Sequence, residues 1–260
     1  MIKDSSEFKT IRYEKGEPAT RTDMVPRESS IDIYLCGTRL VTLQASPNQL
    51  IELAVGFLLS EGLLETLSEY ETASIDAESK EVRVEAKNRS KVLSRLLDKG
   101  DVIRTSGCSR GMSFGGYDMI GKVNSDLSVS TEKIKTMTRE MLKAADLHNA
   151  CGGVHCSALV KGSEVISMSE DIGRHNTIDK IVGQCSLKGI DMSEGFLLTT
   201  GRISSEMVAK CARSRIPVIA SMTSPTDLAI RIADKLGVTV VGYVRGNRIT
   251  VYTHADRITN

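Results

Sequence analysis

The chain has 260 residues, a formal net charge of +1, 40% hydrophobic residues and only 4% aromatics, with no tryptophan. That length allows one large or two modest domains with a real core, while the charge and scarce aromatics exclude a basic field for a nucleic-acid backbone or a base-stacking platform. The opening residues 1–7 are polar, no apolar run approaches the roughly 20 residues of a membrane span, and six scattered cysteines read as thiols of a reducing compartment, so a soluble cytoplasmic protein with no nucleic-acid or membrane partner is expected.

Residues 1–29, polar and carrying Pro18 and Pro26, read as an irregular arm with at most one short strand over 9–13. Alternation over 31–35 and 39–44 predicts two strands around the Cys36-Gly37-Thr38 turn. Ser46 is placed to cap a helix, with Pro47 at its first position and Gln49 completing a capping box. Leu50, Leu53, Ala54, Phe57 and Leu58 then recur at helical spacing until Gly62. Short strands are predicted over 73–75 and 81–86, and a short helix over 91–97. Residues 105–116, TSGCSRGMSFGG, hold glycines at 107, 111, 115 and 116. They read as a mobile surface loop carrying Cys108. Arg104 and Arg110 flank that thiol, and a nearby cation favours the thiolate.

A second unit begins near Ser130. Ile134, Met137, Met141, Leu142 and Ala145 form one apolar stripe, which predicts a helix over 131–147 with its methionines in the core. Strands over 154–160 and 164–169 follow, across Lys161-Gly162-Ser163. The pattern then alternates: helix 176–184, strand 196–200, helix 205–214, strand 217–221, helix 226–236, strands 238–244 and 249–253. This implies an α/β architecture with a mainly parallel sheet. The predicted division is an N-terminal α+β domain over 1–104, a cysteine loop and linker over 105–129, and an α/β domain over 130–260.

In such a sheet a ligand sits beyond the carboxyl ends of the strands. Thr199-Thr200-Gly201-Arg202 leads into the helix start at Ser204-Ser205. Ser221-Met222-Thr223-Ser224-Pro225 leads into the one at Thr226. Tyr243, Val244, Arg245, Gly246, Asn247 and Arg248 follow a third strand. Helix N-termini and the forked guanidiniums of Arg202, Arg245 and Arg248 suit a phosphate-bearing, nucleotide-like ligand, although Ser and Thr also serve as plain N-caps. Glu170–Asn176 sets Arg174, His175 and Asn176 at a further helix start.

Two constellations fail. His155-Cys156 resembles the start of a tyrosine-phosphatase loop, but Gly162 stands where that chemistry needs arginine. Cys151, His155 and Cys156 make a poor zinc set, because adjacent strand residues point to opposite faces, and no CxxC pair completes a tetrahedral site. No metal site is predicted. Cys156 and Cys211 are expected in the core.

Several stretches together resemble the formate dehydrogenase accessory sulfurtransferase family, FdhD/NarQ. They are SPNQLIELAVGFLLSEGL from Ser46, the Thr105–Gly111 cysteine loop, GGVHCSAL from Gly152, EDIGRHNTIDK from Glu170, TGRISSEMVAK from Thr200, and Ile216–Gly246 through IPVIASMTSPTDLAI to VGYVRG. The resemblance implies a cytidine-deaminase-like mixed sheet with flanking helices in the C-terminal part, without the deaminase zinc ligands, and a smaller N-terminal α+β part. It implies a sulfurtransferase: a persulfide carrier that accepts sulfur from a cysteine desulfurase on the catalytic Cys108. The carrier passes it to the molybdenum bis(molybdopterin guanine dinucleotide) cofactor, its bound substrate, for maturation of formate dehydrogenase. It also implies a homodimer and a cofactor-binding run at Tyr243–Arg248. His175, Arg202, Thr223 and Ser224 at the sheet edge are the further candidate cofactor contacts. The family loop often carries CxxC, whereas Gly111 holds the second position here, so a persulfide on Cys108 has no neighbouring thiol to close an internal disulfide. Two rival readings remain. One is a non-catalytic chaperone that only binds and escorts the cofactor. The other is a deaminase-like hydrolase on a free nucleotide, which needs a bound metal.

Overall fold

A computed structural model describes residues 4–76, 78–98 and 114–260. The chain opens with an antiparallel hairpin of β1 (Ser5–Glu14) and β2 (Glu17–Pro26). This corrects the irregular arm expected over 1–29. Both faces of the hairpin are largely exposed, so no apolar alternation betrays it in the sequence. Main-chain pairing and side-chain pairs such as Arg12 to Asp23 at 2.8 Å hold it instead.

β3 (Ser29–Leu35), β4 (Thr38–Ala45), β5 (Tyr70–Asp76) and β6 (Glu81–Ala86) make a four-stranded sheet in the order β4-β3-β6-β5. Cys36 at φ +50° and Gly37 at φ +79° form the tight turn between β3 and β4, where positive φ at both central positions matches the strand twist. α1 (Leu50–Ser60) and α2 (Arg89–Asp98) accompany this sheet. Ile31, Ile33, Leu43, Val82 and Val84 of the sheet bury against Leu53, Ala54, Phe57 and Leu58 of α1.

The predicted cap at Ser46 is not made. Gln49, left-handed at φ 49°, occupies the N-cap position of α1 without a side-chain capping bond. Ser46 is buried; its N–H donates to Asp171 Oδ2 at 3.0 Å and its hydroxyl accepts from the Ile172 N–H at 3.2 Å. Gln49 Oε1 accepts from the Ser169 hydroxyl at 2.8 Å. Tertiary bonds to a distant strand end have outcompeted the local cap, a case of context overriding local preference.

After α3 (Phe114–Tyr117), β7 (Val129–Ser130) pairs with the terminal β14 (Ile258–Thr259). α4 (Thr131–Ala144) and α5 (Asp146–Cys151) replace the single helix expected over 131–147. The break has a cause: the Glu170 carboxylate accepts from the Leu147 and His148 N–H groups, at 3.1 and 2.7 Å, and so caps a new helix start.

The large sheet contains β8 (His155–Lys161), β9 (Glu164–Asp171), β10 (Gly195–Thr199), β11 (Val218–Ser221), β12 (Thr239–Arg245) and β13 (Arg248–Val251), in the order β13-β12-β11-β10-β8-β9. It is mixed rather than mainly parallel. β10, β11 and β12 run parallel, whereas β8 opposes β10, β9 opposes β8 and β13 opposes β12. α6 (Arg174–Leu187), α7 (Ser205–Arg213) and α8 (Asp227–Leu236) cover one face. There Leu159, Leu197, Ile219 and Val240 bury against Ile178, Ile181, Met207, Cys211 and Ile232. α4 covers the other face, where Ala158, Phe196, Leu198, Val218 and Val241 meet Ile134, Met137 and Met141. The alternation of inward residues between two faces is the strand period at work.

α1 bridges the two sheets. Its second face lies against α6 so closely that a Cβ at Gly56 would fall 1.7 Å from the Asp179 carbonyl oxygen, and one at Gly183 would fall 1.9 Å from the Glu52 carbonyl oxygen. Two buried ion networks flank this crossing. Asp171 and Lys180, both fully buried, pair at 2.6 Å. Lys210 reaches Asp179 at 2.8 Å and Glu61 at 2.7 Å. Against the cost of burial, those two carboxylates push the Lys210 ammonium above its usual value. Among the described residues no helix is long and apolar enough to cross a membrane.

Candidate functional site

The strand directions bring the carboxyl ends of β9, β10, β11 and β12 to one edge of the large sheet, together with the amino end of the opposed β8. The starts of α6, α7 and α8 follow directly from these strand ends. Ser204 and Thr226 cap α7 and α8 by accepting from the Met207 and Ala229 N–H groups. Gly173 opens α6 with no side-chain cap.

Hydrogen bonds stiffen the floor of this edge. Gly201 N–H donates to Thr199 Oγ1 at 3.1 Å, and the Gly201 carbonyl accepts from the Ser221 hydroxyl at 2.7 Å. Ile203 N–H reaches the Ser224 carbonyl at 3.3 Å, and Thr226 N–H returns to the Ile203 carbonyl at 3.0 Å. Tyr243 N–H bonds the Thr223 carbonyl at 3.0 Å. The ledge is therefore continuous from Gly201 through Ser224 and Thr223 to the β12–β13 turn.

At that turn, Tyr243 takes φ +53° at a bulge between Gly242 and Arg245, and Gly246 takes φ +53°. A left-handed bulky residue is a strained backbone, of the kind that gathers at ligand sites. The Arg248 guanidinium lies 4.3 Å from the Tyr243 ring centroid, a cation–π contact. Arg245 Nε donates to the Met222 carbonyl at 2.7 Å. Arg245, Gly246, Asn247 and Arg248 are exposed, Tyr243, Thr223 and Ser224 half-buried. Val244 differs from its neighbours: its side chain is 3% exposed and belongs to the core under α4, so only its main chain faces the turn.

The other end of the ledge gathers cations. Arg202 is exposed, and Arg174 and His155 are half-buried beside it. Burial, and then the neighbouring Arg202 charge, lower the Arg174 pKa. His155 Nδ1 stands 3.5 Å from Thr200 Oγ1, and burial followed by Arg174 pulls its pKa down. His175 Nε2 lies 3.0 Å from Ser204 Oγ and 3.3 Å from Glu206 Oε2. Burial, then the Arg174 and Lys210 charges, hold this imidazole neutral, with a pKa down at about 3. His175 thus braces the start of α7.

Of the residues that sequence reasoning places at the edge, Arg202, His175, Thr223, Ser224, Tyr243, Arg245, Gly246, Asn247 and Arg248 are all brought to it. Asn176 turns away: its amide donates to the Gln44 carbonyl and to Asp171 Oδ1, each at 2.8 Å. In the sequence His155 stands out only as a poor metal ligand, and the structure puts it on the ledge beside Arg174. Cys108, Arg104 and Arg110 lie outside the described residues. Tyr117, nine positions after Cys108, is buried and donates its hydroxyl to Ser205 Oγ at 3.1 Å, at the first turn of α7. Cys156 and Cys211 are buried as expected; burial raises both thiol pKa values, that of Cys211 to about 12, which makes them poor nucleophiles. A separate groove between the hairpin base and α5 carries Asp4, Asp146 and Glu170 and no basic side chain, which repels a polyphosphate.

The FdhD/NarQ family model matches residues 26–259. The chain is 33% identical over 253 residues to the sulfur carrier protein FdhD of Bacillus subtilis, covering 95% of each. It is 35% identical to the protein of that name from Wolinella succinogenes, covering 92% of this chain and 84% of the relative. With that of Sulfolobus acidocaldarius it shares 35% identity over 96% of this chain and 97% of the relative. Among solved structures, a candidate formate dehydrogenase accessory protein from Desulfotalea psychrophila superposes with a TM-score of 0.80 at 27% identity, over 98% of this chain and 99% of that one.

Proposed function

The chain belongs to the FdhD/NarQ family, and from that premise we propose that it is a sulfur carrier acting in formate dehydrogenase maturation. Cys108 is the carrying thiol. Its thiolate attacks the outer sulfur of a cysteine desulfurase persulfide, a new S–S bond forms, and the desulfurase thiolate leaves. Passing that sulfur on as sulfide returns Cys108 to a thiolate and consumes two electrons. Gly111 offers no second thiol, so the reductant is an external dithiol, which is oxidised to its disulfide as the sulfide leaves. The receiving substrate is the molybdenum bis(molybdopterin guanine dinucleotide) cofactor, held on the ledge by Arg202, His175, Thr223, Ser224 and the 243–248 turn. The cytoplasm, a homodimer and a cytidine-deaminase-like fold of the large sheet are parts of the same proposal.

The observation that carries this reading is the bond from Tyr117 to Ser205. Tyr117 thereby stands at the first turn of α7 beside the ledge, nine positions after Cys108 in the sequence, which supports a carrier thiol that serves the anion-binding edge. Loading the protein with sulfur from a desulfurase and cysteine, then measuring transfer to the cofactor, tests this. The escort reading expects Cys108→Ala to keep full maturation; the carrier reading expects its loss. The hydrolase reading expects a bound metal, which elemental analysis of the purified protein tests.

A further inference from the structure

We propose that the hairpin of β1 and β2 is an arm that clasps a second copy of this chain, its Lys15 tip seated in the acidic groove at the base of the other copy's arm. This deepens the homodimer of the reading above and rests on it.

The first ground is an apolar ribbon left open to solvent. Phe8, Ile11, Tyr13 and Val25 are 55%, 64%, 70% and 40% exposed. Directly opposed residues share a face of a two-stranded sheet. The pairs Ile11–Thr20 and Tyr13–Pro18 put Ile11, Tyr13 and Pro18 on one face, and the pairs Ser6–Val25 and Phe8–Asp23 put Phe8 and Val25 on the other. The base of the hairpin is anchored: Arg27 N–H donates to the Asp4 carbonyl at 2.9 Å, and a Cβ at Gly153 would lie 3.2 Å from Pro26 Cγ. A two-stranded hairpin is marginal in water by itself, and grouped exposed apolar side chains mark a contact surface.

The second ground is the tip. Lys15 and Gly16 make the two-residue turn, at φ +53° and +92°. Glycine or asparagine suits such a position, so a lysine held there in the left-handed region costs backbone strain. Residues 12–21 hold three cations, Arg12, Lys15 and Arg21, and two carboxylates, Glu14 and Glu17. Arg12 reaches Asp23 at 2.8 Å and Glu14 at 3.9 Å, and Arg21 reaches Glu14 at 4.0 Å. Lys15 is exposed and makes no ion pair among the described residues. It is the spare cation of the arm.

The third ground is the groove beside Asp4 at the base of the arm. It offers about 900 Å³; Leu147, Ala150 and Met168 are its apolar lining, and Asp4, Asp146 and Glu170 add carboxylates with no basic side chain among them. Asp146 is exposed and makes no ion pair among the described residues. A lysine lays its apolar stem on such a floor and its ammonium against the carboxylates. The arm's own dimensions name the occupant. Each strand has ten residues, a span of roughly 33 Å. Two arms lying antiparallel about a two-fold axis bring each tip to the base of the other, so the contact is made twice. The apolar faces of the two ribbons then cover each other.

The test is sedimentation equilibrium of the full chain over a range of concentrations. The expected result is a native dimer. Ile11→Ser/Tyr13→Ser, Lys15→Glu and Asp146→Lys each raise its dissociation constant by about tenfold or more, since every change counts at two symmetric contacts, and each keeps the native circular dichroism spectrum. Lys15→Glu/Asp146→Lys, with both charges reversed, returns the dissociation constant close to the native value. A dimer whose affinity ignores these changes overturns the arm contact and leaves the homodimer standing. Weakening by both single reversals with no recovery in the double reversal also overturns it. A native monomer overturns the arm contact and the homodimer together; if Lys15→Glu then also loses desulfurase-dependent sulfur loading, the arm serves the desulfurase instead. Failure of the native chain to load sulfur on Cys108 would count against the carrier reading and leave the arm result standing.

Discussion

Gly56 on α1 meets the main chain of Asp179 on α6 with no room between them: an added Cβ would lie 1.7 Å from the Asp179 carbonyl oxygen. The reciprocal contact is as tight: a Cβ added to Gly183 would lie 1.9 Å from the Glu52 carbonyl oxygen. This crossing joins the small sheet to the large one, and α6 carries Arg174 and His175 at its start, so the site depends on it. Neither obstacle is a side chain that can swing away; both are backbone. Gly56→Ala and Gly183→Ala are each expected to destabilise by about 3 kcal/mol or more, at or beyond the upper end of ordinary overpacking. Urea unfolding of the variants checks this, and native-like midpoints would contradict it.

Asp171 and Lys180 are expected to be far more sensitive than surface ion pairs. Asp171→Asn leaves the buried Lys180 ammonium without its carboxylate. Removing one partner of a buried pair costs about 3–5 kcal/mol. The doubly apolar variant Asp171→Leu/Lys180→Met is expected to lose less of the pair term, although Ser46, Gly173 and Asn176 would lose an acceptor. A double-mutant cycle by chemical denaturation measures the coupling.

Stability is expected to fall on acidification through the histidine range. His175 has its pKa depressed from near 6.5 to about 3 in the folded chain. The unfolded chain therefore binds a proton that the folded chain refuses. The contribution is complete above pH 6.5 and drains away as pH drops toward 3, by at most about 1.4 kcal/mol per pH unit. His155 shifts in the same direction. The slope of unfolding free energy between pH 6 and pH 4 should flatten in His175→Asn. An unchanged slope would show that His175 is not held neutral.

Arg245→Ala is expected to weaken GDP binding by about tenfold while leaving the melting point nearly unchanged, because the side chain is exposed. Calorimetric titration beside a thermal melt separates the two effects. Equal affinity would remove the 243–248 turn from the site.

Much of the large sheet is legible in the amino-acid pattern alone. The alternation of apolar strands and helices places β8 to β13 and α6 to α8 within a few residues, because β8, β10, β11 and β12 bury both faces and α8 buries one. The charged hairpin over 5–26 gives no such signal, since it has no core face to impose a period. Ser46 misleads because its partner, Asp171, stands 125 positions away. The direction of β8 is equally invisible: no local pattern distinguishes an antiparallel neighbour from a parallel one. At the site, Arg202, Thr223 and the 243–248 run are marked by their place after strand ends. His155 carries no comparable mark, because its value comes from Gly201, on a loop that meets it only in the fold. Lys210 does leave a trace, as a charge on the stripe that also holds Met207 and Cys211, and its answer is Asp179 on another helix.

The most direct measurement is mass spectrometry of the intact chain and its peptides after incubation with a cysteine desulfurase and cysteine. One added sulfur atom, located on Cys108, absent from Cys108→Ala and discharged when the molybdenum cofactor and a reductant are supplied, is the predicted result. Sulfur on another cysteine, no sulfur at all, or full maturation of formate dehydrogenase by Cys108→Ala would contradict it.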